Sequence, residues 1–146
     1  MKIMILNGPN INMLGIREKD IYGSVNYDAF LKLIQEEADQ RHVEVKFYQS
    51  NHEGDLVDMI QKAYFEKIDG IVINPAAYTH TSVAIADAIK AIAPIPVVEI
   101  HISNINEREE FRHISYCAPY CIAQIKGEGI QGYIHAMDIV IEHCGG

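Results

Sequence analysis

The chain has 146 residues, a formal net charge of −8 at pH 7, and hydrophobic residues at 49% of its positions. This length suits one domain with its own core, which needs no metal or disulfide framework to fold. The acidic balance argues against nucleic acids and anionic membranes as partners, because both bind basic surfaces. No segment is typical of a signal peptide or a membrane span, so we expect a single cytoplasmic domain over residues 1–146.

Five apolar runs are candidate strands, and the segments between them have helical spacing. The runs are KIMILN (2–7), VEVKFYQ (43–49), GIVINP (70–75), PVVEIH (96–101) and YCIAQIKG (120–127). Apolar residues recur with the 3.6-residue period of a helix in 27–41, 56–65, 83–93 and 130–143. Alternating strands and helices favour a parallel sheet covered on both faces. The sequence therefore predicts a flavodoxin-like, three-layer α/β/α fold with strand order 2-1-3-4-5.

Polar residues at the starts of two predicted helices support these boundaries. Asn26 or Ser24 can cap the first helix, and Thr81 or Ser82 can cap the third. A side-chain oxygen at this position accepts a hydrogen bond from a backbone N–H group that the helix leaves unpaired.

The first strand runs into an asparagine-rich turn, NGPNINMLG (7–15). Its glycines lack the GxGxxG spacing that lets a backbone approach a pyrophosphate, so dinucleotide binding is not expected. An amide both donates and accepts hydrogen bonds, which lets Asn7, Asn10 or Asn12 hold a water or a developing oxyanion. The same asparagines can equally serve only to build the turn.

The next segment, GIREKDIYG (15–23), is bounded by glycines and has the character of a loop that closes over a ligand. It carries Arg17 and Tyr22. An unperturbed tyrosine titrates at about 10, so a tyrosine base near neutral pH needs a cation beside its phenolate, and Arg17 is the nearest in sequence. Taken alone, Tyr22 is more typical of an ordinary loop residue.

Three later turns each follow an apolar run and carry a histidine: SNHEGD (50–55), NPAAYTHTS (74–82) and EIHISN (99–104). Turns that follow parallel strands emerge along one edge of the sheet, so we expect His52, His80 and His101 to lie near one crevice. Three imidazoles are a possible metal site, but none has HxH or HxxxH spacing to another. A metal site and separate hydrogen-bonding roles both remain open.

Other polar residues surround the third of these turns. Ser103 and its neighbouring N–H groups form a turn that can bind an anion. Glu99 either orients a histidine or faces a side chain of the next strand. Arg108 and Arg112 are four residues apart, on one face if the segment is helical, and a guanidinium suits a carboxylate. Asp87, inside the third helix, is expected on a solvated face.

Six motifs in matching order resemble those of the type II 3-dehydroquinate dehydratases. They are NGPNINMLG, REKDIYG, SNHEGDLVDMI, INPAAYTHTSVAIADAI, VVEIHISNI and REEFRHISY. The resemblance implies a hydro-lyase of the shikimate pathway, which leads to chorismate and the aromatic amino acids. Such an enzyme converts 3-dehydroquinate into 3-dehydroshikimate by anti elimination of water through an enolate. The resemblance also implies a homododecamer built from trimers, and neither a metal nor another cofactor.

The same resemblance implies catalytic roles for five residues. Tyr22 is the base that takes the C2 proton, and Arg17 favours its phenolate form. Asn10 stabilises the enolate through a bound water. His101 protonates the leaving C1 hydroxyl, with the carboxylate of Glu99 beside it.

Substrate-binding roles also follow from the resemblance. Asn74 lies near the C1 hydroxyl, and the backbone at Ile102 and Ser103 surrounds the carboxylate together with the Ser103 hydroxyl. His80 and Arg112 hold the ring hydroxyls.

Two more residues have roles implied by the resemblance, and two depart from the usual pattern. Asp87 reaches into a neighbouring subunit's site, and Arg108 approaches the site on loop closure. Lys19 stands where proline is usual, and Asn106 where histidine is frequent. The residues alone leave two other functions open: a metal-dependent hydrolase, and a flavodoxin-like module that binds phosphate or flavin.

Overall fold

The computed structural model describes residues 1–16 and 25–146. Within them lie the strands β1 (Lys2–Asn7), β2 (Glu44–Gln49), β3 (Gly70–Asn74), β4 (Val97–His101) and β5 (Ala123–Lys126). The α-helices are α1 (Tyr27–Gln40), α2 (Glu53–Phe65), α3 (Val83–Ala91) and α4 (Gln131–His143). The predicted strands and helices are confirmed, and no boundary among them moves by more than three residues.

The strands form one parallel sheet in the order β2-β1-β3-β4-β5, as predicted. The chain leaves β1 for β2 on one side and then crosses to β3 on the other side of β1. In open sheets of this kind, ligands bind outside the carboxyl ends of the strands where the strand order reverses. The boundary between β1 and β3 is that place.

Two hydrophobic layers enclose the sheet because successive side chains of a strand point to opposite faces. Ile3 and Ile5 of β1 pack in the core beneath α1 and α4. Met4 and Leu6 pack in the core beneath α2 and α3. Burial on both faces explains why the central strands are continuous apolar runs and not alternating ones.

Two helix starts have the caps that the sequence predicts. Asn26 Oδ1 accepts from the Ala29 N–H at 2.8 Å, and Ser82 Oγ accepts from the Ile85 N–H at 2.9 Å. The other candidate for the first cap, Ser24, lies outside the described residues. In the described part of the chain, no helix is long and apolar enough to cross a membrane.

Candidate active site

A pocket opens at the carboxyl edge of the sheet, over the ends of β1, β3 and β4. Its wall is built from the turns that follow these strands and from the segment after β4. The predicted site residues that line it are Asn10, Asn74, His80, His101, Ser103, Arg108 and Arg112. Residues up to 102 positions apart in sequence are therefore gathered at one place.

His80 and His101 both reach this pocket, but His52 does not. His52 is the exposed N-cap residue of α2, in the turn after β2. Because β2 is the edge strand and β1 separates it from β3, this turn is further from the pocket than the other two. The expectation of a crevice shared by three histidines is therefore wrong for His52. In residues 1–16 and 25–146, no group of three His, Cys, Asp or Glu residues is placed to hold a metal ion.

Two more predicted residues, Ile102 and Asp87, are not among the described residues that line the pocket. Ile102 is buried directly after β4. Asp87 is exposed on α3, as expected for a solvated helix face. Arg17, Lys19 and Tyr22 lie outside the described residues.

A buried carboxylate stands behind His101. Glu99 and His101 are two residues apart on β4 and share one face of the sheet. Glu99 Oε2 accepts from His101 Nε2 at 2.7 Å and from Gln124 Nε2 at 2.6 Å, and Oε1 accepts from Ser115 Oγ at 2.6 Å. Burial opposes ionisation of Glu99, but these hydrogen bonds outweigh it, so its pKa lies below the ordinary value. The result is a fixed carboxylate that orients the His101 ring.

His80 is held by a backbone carbonyl. Its Nδ1 lies 2.8 Å from the carbonyl oxygen of Ile114. Since a carbonyl only accepts, Nδ1 carries the proton, and Nε2 of the neutral ring is left as an acceptor. Burial is the main cause that lowers the pKa of His80, and the nearby His101 and Arg112 lower it further. The neutral ring is therefore favoured.

The Asn10 turn is stabilised from the neighbouring edge strand. Asn10 has a left-handed backbone with φ of 69°, a conformation that asparagine tolerates better than most residues. Its N–H donates to Asn51 Oδ1 at 3.0 Å. Gln49 Nε2 donates to the same oxygen at 3.1 Å and to the Gly8 carbonyl at 3.2 Å. The side chains of Gln49, at the end of β2, and of Asn51, in the turn that follows, thus fix the backbone that carries Asn10.

Arg108 directly follows the 3-10 helix Ile105–Glu107, and Arg112 is the last residue of the 3-10 helix Glu110–Arg112, so the two arginines do not lie on a single α-helix. Their four-residue spacing therefore does not place them on one face of a helix, which was the arrangement considered from the sequence. Arg108 Nη1 donates to Ser103 Oγ at 3.4 Å, and Arg112 Nε donates to Glu109 Oε2 at 2.6 Å. Both arginines also line the pocket, which suits it to an anionic ligand.

Sequence reasoning missed the polar residues that support the pocket from behind. They are Gln49, Asn51, Ser115, Gln124 and Tyr133. The available signal was weak: Gln124 is a polar residue inside an otherwise apolar run, and it pairs in register with Glu99. The contacts of Tyr133 are with residues 59 and 126 positions away, which no local pattern reveals.

Comparisons with known proteins agree with one another. The family model for dehydroquinase class II matches residues 1–141. The 3-dehydroquinate dehydratase of Caldicellulosiruptor bescii is 60% identical over 136 residues, which cover 93% of each chain. That of Lachnospira eligens is 53% identical over 142 residues, or 97% of each chain. The crystal structure of a type II dehydroquinase from Butyrivibrio crossotus is similar with a TM-score of 0.95 at 56% identity, covering 97% of each chain.

Proposed function

The chain belongs to the class II dehydroquinase family, and we propose that the pocket at the carboxyl edge of its sheet is where it eliminates water from 3-dehydroquinate. The reaction is that of a hydro-lyase of the shikimate pathway, and its product is 3-dehydroshikimate. The observation that carries the assignment of the pocket is that His101 lines it and is hydrogen-bonded to the buried carboxylate of Glu99.

His101 is the acid that protonates the leaving C1 hydroxyl. Hydroxide is a poor leaving group, so the elimination needs a proton donor, and a placed acid contributes roughly 10² to 10⁴-fold. In support, the His101 side chain is 6% exposed and its ring is oriented by the ionised Glu99. Asn74, the last residue of β3, lines the pocket and contacts the same hydroxyl.

Tyr22 is the base that removes the C2 proton, and Arg17 favours its phenolate; this part of the proposal comes from the family resemblance. Proton removal on the face opposite to the leaving hydroxyl gives anti elimination through an enolate. Asn10 stabilises the enolate oxygen through a bound water, since amide donors placed where negative charge develops lower the barrier. The support for Asn10 is its place on a turn that Asn51 holds at the pocket wall.

The pocket's cations and hydrogen-bonding groups suit the substrate's carboxylate and ring hydroxyls. The backbone at Ile102 and Ser103, with the Ser103 hydroxyl, binds the carboxylate, and Arg108 adds positive charge beside it. His80 accepts from one ring hydroxyl through Nε2, and Arg112 donates to the ring hydroxyls.

We further propose that residues 1–146 act as one catalytic domain in the cytoplasm, assembled as a trimer-based dodecamer. Asp87 then contacts the site of a neighbouring subunit. Its exposed position on α3 supports this, because it does not line the pocket of its own chain. Sedimentation analysis of the purified protein measures the assembly, and a stable monomer would overturn this part of the proposal.

The function is tested by incubating the protein with 3-dehydroquinate and following the ultraviolet absorbance of the conjugated enone in the product. We expect product to form, and to form equally well after borohydride is added together with substrate. No product would overturn the function. Inactivation by borohydride and substrate would indicate an imine-forming lysine and overturn the mechanism.

The assignment of the base is tested by Tyr22→Phe, which removes only the phenol oxygen. We expect turnover to be abolished, while substrate binding measured by calorimetry and the assembly state are kept. Normal turnover in this variant would show that another group takes the C2 proton.

A further inference from the structure

A buried tyrosine of α4 joins two asparagines beneath the pocket. The Tyr133 hydroxyl donates to Asn7 Oδ1 at 2.7 Å and accepts from Asn74 Nδ2 at 2.8 Å. Tyr133 and Asn7 are fully buried, and Asn74 is 3% exposed. The hydroxyl therefore uses its only proton and an acceptor position within the protein, as buried polar groups do.

The two asparagines occupy equivalent places on the strands where the strand order reverses. Asn7 is the last residue of β1, Asn74 is the last residue of β3, and the two are register partners. The turn after Asn7 carries Asn10, and the turn after Asn74 carries His80. The Tyr133 hydroxyl thus connects the two residues from which these pocket-lining turns begin.

Close packing fixes this connection. A Cβ on Gly132, the residue before Tyr133, would lie 2.5 Å from Ile100 Cδ1, so glycine here allows α4 to approach β4. A Cβ on Gly8 would lie 2.6 Å from the Pro75 carbonyl oxygen, so the two turns also approach each other closely. Interiors packed this closely resist small displacements.

The Asn74 amide is held at both of its polar atoms. Nδ2 donates to Tyr133, and Oδ1 accepts from the Ala76 N–H at 3.1 Å. Ala76 has φ of 53°, an uncommon conformation for a residue with a side chain. Within residues 1–16 and 25–146, one N–H and one lone pair of the amide have no protein partner, and they can serve a ligand in the pocket that Asn74 lines. Rotation of the amide would break both existing hydrogen bonds.

We propose that Tyr133 is a positioning residue for the dehydration, which orients the Asn74 amide toward the C1 hydroxyl and fixes the Asn10 turn relative to the His80 turn. The inference rests on the proposed function. Its role differs from that of Tyr22, because Tyr133 never exchanges a proton with substrate. Burial raises the pKa of Tyr133, so the phenol stays protonated and keeps donating to Asn7.

The test is Tyr133→Phe, which removes the hydroxyl and keeps the ring. This ring packs edge-on against Phe30, with 4.7 Å between the ring centroids. We expect kcat/KM to fall about 10-fold to 100-fold, since small misplacement of a binding group costs up to about 10²-fold. The matched control is Tyr27→Phe, because the Tyr27 hydroxyl lies 3.5 Å from Asn7 Nδ2 and has no hydrogen bond to Asn74. We expect less than about a twofold change in the control. Equal losses in both variants would contradict the proposal.

A double-mutant cycle separates positioning from general loosening of the fold. If Tyr133 acts partly through Asn74, then Tyr133→Phe lowers kcat/KM by a smaller factor when Asn74→Ala is already present, because only the hydrogen bond to Asn7 remains to be lost. Losses that multiply would contradict the proposal. Asn7→Ala tests the same connection with the phenol left in place, and we expect a fall of at least about threefold. Unchanged kcat/KM in Asn7→Ala would count against the proposal even if Tyr133→Phe does not fold.

The wild-type protein assayed alongside distinguishes the two levels of inference. If it does not convert 3-dehydroquinate, the proposed function fails. If it does, and Tyr133→Phe is equally active, only the positioning role fails.

Discussion

The β4 side and the β1 side of the pocket hold their polar groups by different means. On the β4 side, Glu99 and His101 are buried strand residues, and both carboxylate oxygens of Glu99 accept hydrogen bonds. On the β1 side, Asn10 is an exposed turn residue whose backbone is fastened by Asn51 from the edge of the sheet.

The difference suits the chemistry proposed for each side. A proton donor benefits from a rigid, desolvated place, because electrostatic interactions are stronger where water is excluded. A turn that holds a water needs contact with solvent and depends on neighbouring side chains. We therefore expect changes on the β4 side to affect both activity and stability, and changes on the β1 side to affect mainly activity.

The largest expected effect is on the β4 side. His101→Ala removes the proposed acid, and we expect kcat to fall roughly 10² to 10⁴-fold, as measured by the formation of the product enone. As a control, His52→Ala changes the exposed histidine outside the pocket and should leave kcat within about twofold of wild type. Comparable losses in the two variants would remove the distinction between these histidines.

The second prediction concerns stability against pH. The pKa of Glu99 is lower in the folded protein than its ordinary 4.5, so below that pH the unfolded chain binds more protons. The stabilisation is present above pH 4.5 and is lost as the pH falls through the folded pKa. We expect Glu99→Gln to lose this part of the pH dependence and to lower the free energy of unfolding near pH 7 by about 1–3 kcal/mol.

Urea unfolding from pH 6 down to pH 3 measures this dependence. If the free energy of unfolding of Glu99→Gln falls over the acid range as steeply as that of wild type, the paired carboxylate is not the source of the pH dependence.

The smallest expected effect is on the β1 side. Asn51→Ala removes the acceptor for the Asn10 N–H. We expect kcat to fall about threefold to tenfold, the factor in rate that corresponds to the free energy of one hydrogen bond. The free energy of unfolding should change by less than about 1 kcal/mol, because Asn51 is exposed. Activity and urea unfolding are measured on the same samples.

Ser50→Ala is the matched control for Asn51→Ala. It removes a hydroxyl that donates to Asp55 of α2 and accepts from the His52 N–H, and that has no hydrogen bond to Asn10. An equal loss of activity in both variants would mean that the whole turn matters, and not the bond to Asn10.

The fold was predictable because its signals are local. Apolar runs, helical spacing and caps such as Asn26 and Ser82 lie within single elements. The rule that parallel strands gather their turns at one edge then placed His80 and His101 together. It did not place His52 correctly, because position along that edge depends on strand order and not on the local motif.

The supporting residues were not predictable in the same way. Ser115, Gln124 and Tyr133 act across elements, and each is unremarkable within its own segment. Their roles depend on register and on the close approach of α4 to the sheet, which are tertiary properties. The reach of Arg108 and Arg112 into the pocket likewise depends on 3-10 turns that helical spacing does not indicate.

The most direct test of the central claim, that the buried His101 supplies the proton to the leaving hydroxyl, changes the leaving group. The rates of wild type and His101→Ala are compared on 3-dehydroquinate and on an analogue whose C1 substituent departs without protonation. We expect the loss caused by His101→Ala to be roughly 10² to 10⁴-fold on 3-dehydroquinate and less than about tenfold on the analogue. The same loss on both substrates would contradict the assignment of His101 as the acid.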